Sequence, residues 1–173
     1  MSQWASCGRV TPRASGDGHG ASVPASIAGL VGIRACVGTI PPFDASAPDD
    51  EPFGFISEFL QGETVVTMTA FSTGDASVYF STGGGIIGLI GKAEVAQLAR
   101  STVEALRPFA AQLERSDVTD PPGAGDYCFY VLTPAGRRVC RLNMSGTASR
   151  NSPEVKLIGL GGTLLTKIRE NAS

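Results

Sequence analysis

Histidine is almost missing from this chain. His19 is the only one, and it lies in a Gly-Ser-Asp stretch that reads as unstructured. A Ser-His-Asp or Cys-His nucleophile system, a multi-histidine metal site and a histidine general base all need an imidazole held by a scaffold. Without one, any chemistry falls to carboxylates, lysine, tyrosine or a bound cofactor, which lowers the expectation of hydrolase activity. Cysteine is sparse too: Cys7, Cys36, Cys128 and Cys140 contain no CxxC pair, so no metal framework is legible. Positive charge is not in excess. With a net charge of −2 and a pI near 5.4, there is no basic field to attract nucleic acid or anionic lipid. The tightest basic group, Arg137, Arg138 and Arg141, reads as a solvated strand edge. Long apolar runs are lacking as well. The run from Ser26 to Val37 is interrupted by Gly29, Gly32 and Arg34; it is too short to span a bilayer and lacks a clear cleavage site. These absences predict no catalytic residues, no metal, no cofactor, no nucleic-acid partner, no membrane partner and a cytoplasmic setting.

What is present suits a single core. A length of 173 residues with a hydrophobic fraction of 42% fits one ordinary domain. The first 43 residues are rich in Ala, Ser and Gly, carry Arg9, Arg13 and Arg34, and hold Asp17 as their one acid. That composition fits a flexible, disordered tail or an over-extended start whose true first residue lies near Pro41 to Pro52, readings preferred to an organelle transit peptide. The expected division is a low-complexity arm over 1–50 and one α+β domain over 51–173.

Within that domain, Phe53 to Leu60 is apolar but too short to assign between a helical turn and a first edge strand. Thr64 to Phe71 and Ala76 to Ser81 read as strands around Ser72-Thr73-Gly74-Asp75. With Thr73-Gly74 as the tip, Thr69 would face Val78 and Thr67 would face Phe80. Lys92 to Arg115 is the strongest helical pattern, with Arg100 and Glu104 spaced to pair and Pro108 predicting a break near Glu104 to Pro108. Tyr127 to Leu132 and Arg137 to Leu142 form a second hairpin. A three-residue loop there would place Cys128 and Cys140 diagonally on one face, read as buried free thiols. Both faces of this hairpin are largely apolar, so both should be covered, by helices, by the N-terminal segment or by another chain. Ser152-Pro153-Glu154 signals a helix start, and the helix should run to about Glu170 with Val155, Ile158, Leu165 and Ile168 on one stripe. Gly161 and Gly162 inside it predict close backbone contacts. Asp75, Asp117, Asp120 and Asp126 fall in turns and are read as local caps.

The candidate site is the glycine run from Ser81 to Lys92 (STGGGIIGLIGK). Gly83, Gly84, Gly85, Gly88, Gly91 and Lys92 could bare backbone N–H groups to an anion beside a helix N-terminus. The dinucleotide fingerprint fails on context, since the preceding strand belongs to an antiparallel hairpin. The preferred reading is structural: the glycines let the loop bend while Ile86, Ile87, Leu89 and Ile90 fill core or interface.

The order hairpin, long helix, hairpin, terminal helix is similar to the roadblock family within the profilin-like group. It is carried by TVVTMTAFSTGDASVYFS, AEVAQLARSTVEALRPFAAQLE, CFYVLTPAGRRVCRL and the helix from Ser152. The resemblance implies a non-catalytic module that dimerises and binds protein partners. The expected fold is an antiparallel four- to five-stranded sheet packed with two main helices, in two or three layers. The expected function is a self-associating interaction module, a homodimer with a possible protein partner; the alternative is a small-ligand or anion-binding domain using 83–92.

Overall fold

The apolar segment after Phe53 is a strand, and it lies in the middle of the sheet. β1 (Gly54–Gln61) alternates Phe55, Ser57 and Phe59 on one side with Ile56, Glu58 and Leu60 on the other, the period-2 pattern of a strand covered on both faces. We describe residues 46–117, 120–144 and 152–172 of the computed structural model; the expected arm lies almost wholly outside them.

The remaining elements are β2 (Thr64–Phe71), β3 (Ala76–Phe80), β4 (Gly85–Ile86), a 3-10 turn (Leu89–Gly91), α1 (Ala93–Glu104), α2 (Arg107–Ala110), β5 (Glu114–Arg115), β6 (Asp126–Thr133), β7 (Gly136–Asn143) and α3 (Pro153–Glu170). The strands form one antiparallel sheet of seven, ordered β4-β3-β2-β1-β6-β7-β5. The α+β class is as expected; the strand number is not. The two strands beyond the expected range are β4 and β5, each two residues long, too short to show a period.

Both hairpins expected from the sequence sit one residue away from the predicted register. Thr69 pairs with Ser77 and Thr67 with Tyr79, because Gly74, at φ 94°, closes a three-residue loop in which the Phe71 amide donates to the Asp75 carbonyl. In the second hairpin the loop is Pro134-Ala135, so Cys128 pairs with Arg141 and Phe129 with Cys140. A one-residue slip moves side chains to the opposite face. Cys128 and Cys140 therefore lie on opposite faces of the sheet, both free and buried.

One face carries Phe55, Met68, Val78, Phe129 and Val131, packed against Val95, Ala99 and Val103 of α1 and Leu157, Leu164 and Ile168 of α3. Phe55 and Phe129 stack there with ring centroids 4.9 Å apart. The other face gathers Ile56, Phe71, Cys128, Tyr130 and Leu132 with Phe53. Both faces are buried, as the apolar hairpin predicts.

The helices follow their sequence signals with adjustments. α1 stops at Glu104, and Pro108 lies in the first turn of α2. Arg100 reaches the Thr73 carbonyl at 3.2 Å instead of Glu104, which pairs with Arg107 at 3.1 Å. Arg138 is no solvated edge residue: it is buried, donates to the Leu113 carbonyl at 3.1 Å and pairs with Asp50. Ser152 caps α3 by accepting from the Val155 amide at 3.3 Å. The buried stripe of α3 is Leu157, Gly161, Leu164 and Ile168, with Ile158 and Leu165 only partly buried beside it. Gly161 is a close-contact point: a Cβ there would lie 2.9 Å from the Tyr127 hydroxyl. Gly162 is not, since its Cβ would meet nothing within 4 Å.

Candidate interaction surface

The glycine run falls into two pieces. Gly83 to Gly85 make the β3–β4 turn, where Gly83, at φ 103°, donates its amide to the Phe80 carbonyl at 3.0 Å. The Phe80 amide returns a bond to the Gly84 carbonyl at 3.2 Å, repeating the loop that Gly74 closes. Gly85 then lies so close to the Val78 carbonyl that no side chain fits. Gly88, Gly91 and Lys92 flank the 3-10 turn instead. The Lys92 amide donates to the Leu89 carbonyl at 2.9 Å, and the residue stands at the N-cap of α1 with no side-chain cap bond.

At that helix start Glu94 supplies the negative charge the helix N-terminus favours. Its carboxylate lies 2.7 Å from Lys167 of α3, which holds Glu94 below and Lys167 above their ordinary pKa values. Two of the amides an anion could use, those of Gly83 and Lys92, already serve the chain's own carbonyls.

The isoleucines beside the glycines are the more telling feature. Leu89 is buried and anchors the turn, while Ile87 and Ile90 on either side of it are 68% and 54% exposed. They sit on the segment that follows the edge strand β4. Sequence reasoning singled out the glycines and left these two between core and interface. A regular period would have told them apart, and the glycines at 85, 88 and 91 deny the run one.

A second surface feature is an open apolar groove of about 400 Å³ lined by Phe59, Leu60, Tyr127, Met144, Ile158 and Leu165, among others. Met144 at its rim is 58% exposed. Tyr127 stacks on Phe59 with centroids 5.6 Å apart, and its hydroxyl shares a 2.5 Å hydrogen bond with Ser57. Burial raises the Tyr127 pKa, so the hydroxyl stays protonated.

The described residues bring together no group of three or more His, Cys, Asp and Glu side chains able to hold a metal ion. Asp126 accepts from Asn143 at 2.8 Å, while Asp117 and Asp120 offer their carbonyls to Arg137 and Arg141. Burial pushes both described thiols up, Cys140 to about 11 with help from the Glu154 carboxylate. Such thiols stay protonated and weakly nucleophilic. No described helix is long and apolar enough to cross a membrane. Comparison with protein families, curated proteins and solved structures finds no match to this chain.

Proposed function

We propose that this protein is a non-enzymatic interaction module that self-associates as a homodimer through the loop 86–91 beside the edge strand β4. The observation that carries this reading is the pair Ile87 and Ile90, exposed at 68% and 54% on a turn anchored by buried Leu89. Scattered exposed isoleucines need no explanation, but two on one short turn make a patch. Burying each against a partner is worth up to roughly 1.5–3 kcal/mol. An edge strand also offers backbone groups for pairing, and β4 is the terminal strand of the sheet on this side. The resemblance of the sequence's element order to roadblock-like modules points the same way. A reducing, cytoplasmic setting fits the buried free thiols Cys128 and Cys140.

Sedimentation velocity across a concentration series tests this. The wild-type chain should sediment as a dimer, and the double variant Ile87→Ser/Ile90→Ser should sediment as a monomer with an unchanged unfolding midpoint. A wild-type chain that stays monomeric throughout refutes the reading.

A further inference from the structure

The apolar turn and the apolar groove are linked by one helix. Ile158, Gly162 and Leu165 of α3 line the groove. Further along the same helix, Lys167 lies 2.7 Å from Glu94, in the first turn of α1 just past the apolar turn. The rise from Gly162 to Lys167 is only about 7.5 Å. Gly162 keeps the groove open, since a Cβ there would meet nothing within 4 Å. Neither feature is satisfied within the chain: Ile87 and Ile90 are exposed, and so is Met144 at the groove rim. Their charges are complementary. Lys92, which follows the turn, is exposed and belongs to none of the ion pairs among the described residues. Asp126 is the charged residue of the groove lining, and it accepts from Asn143 at 2.8 Å.

We propose that the groove is the socket for the turn of a second copy of this chain, so that Ile87 and Ile90 of each copy fill the groove of the other and Lys92 of one meets Asp126 of the other. This rests on the self-association proposed above and names the surface that receives the turn. Interface size favours this arrangement over turn meeting turn. A stable interface takes about 20–30 residues a side, and a short turn packed on its own copy falls well short. In a two-fold dimer each contact is made twice, once in each direction. Reciprocal insertion therefore engages the turn, the groove and the stretch of α3 between them on both copies. The groove has the capacity: about 400 Å³ is within the range that takes a small ligand, ample for two aliphatic side chains. Its walls are apolar, and Asp126 offers a partner to the cation that arrives with the turn.

Mixing two full-length variants tests this, with native mass spectrometry and sedimentation as readouts. Gly162→Glu blocks the groove and leaves the turn intact; Ile87→Ser/Ile90→Ser removes the turn's side chains and leaves the groove intact. Each alone should self-associate at least about ten-fold more weakly than wild type. Their equimolar mixture should form a heterodimer more tightly than either variant pairs with itself, because one intact turn still meets one intact groove. A Gly162→Glu chain that dimerises like wild type, while the turn variant is monomeric, overturns the socket and leaves self-association through the turn standing. A turn variant that dimerises like wild type refutes both. A small molecule bound to wild type and lost from a still dimeric Gly162→Glu chain assigns the groove to a ligand and likewise overturns the socket. Should Gly162→Glu lower the unfolding midpoint, a charge swap decides. Lys92→Glu and Asp126→Lys should each weaken the dimer, and both in one chain should restore it to within a few-fold of wild type; additive weakening overturns the proposal.

Discussion

At the scale of single residues, Asp75 is at odds with its surroundings. It follows Gly74 in the β2–β3 loop; its Oδ1 is buried without a hydrogen-bond partner, and burial raises its pKa despite a bond from the Ala76 amide. The direction fixes the pH response. The folded chain holds this proton more tightly than the unfolded chain, so stability is full below the unfolded pKa. It falls as pH rises through the interval up to the raised folded value, and the cost persists at neutral pH. Asp75→Asn should therefore raise the unfolding midpoint at pH 7 and leave it nearly unchanged well below pH 4. Thermal unfolding of both chains across acid pH checks this, and an equal gain at every pH would assign the effect to something other than ionisation. The turn position of Asp75 was legible from Ser72-Thr73-Gly74-Asp75, but its burial was not. Burial is set by tertiary contacts that a turn motif does not carry, and α1 is one neighbour of this loop: its Ala96 and Arg100 crowd the adjacent Gly74.

At the scale of elements, local signals with a direct backbone mechanism were readable. The Ser152 cap, the break at Pro108 and the glycine turns follow from φ limits and unpaired amides. Register was not readable, because it depends on whether a loop holds two or three residues, and Thr-Gly and Pro-Ala-Gly permit either. That single count reversed the faces of Cys140 and Leu142 relative to Tyr130. The glycines of α3 show the same limit: composition marks both 161 and 162, and only helix phase tells them apart. Gly161 faces Tyr127, Met68 and Phe129, whereas Gly162 faces open space. Gly161→Leu should cost about 1–3 kcal/mol by overpacking, and Gly162→Ala should stabilise by up to about 1 kcal/mol through helix propensity. Urea unfolding of the two variants gives the comparison; equal and small effects would mean α3 is turned from its observed phase.

At the scale of the whole molecule, the sheet carries its described helices on one face, and an apolar turn projects beside one edge. The two buried faces were foreseeable from the hairpin 127–142, in which neither set of alternate residues is polar enough for solvent. The exposed pair Ile87 and Ile90 was not, since a run broken by glycine every third residue has no face to assign. Self-association through that pair is the central claim, and amide hydrogen exchange read at different protein concentrations tests it most directly. Protection of the amides from Ile86 to Gly91 should rise with concentration, while amides at the centre of the sheet stay equally protected throughout. Exchange in 86–91 that is identical at every concentration, in a chain that nevertheless dimerises, would place the interface elsewhere and contradict the account.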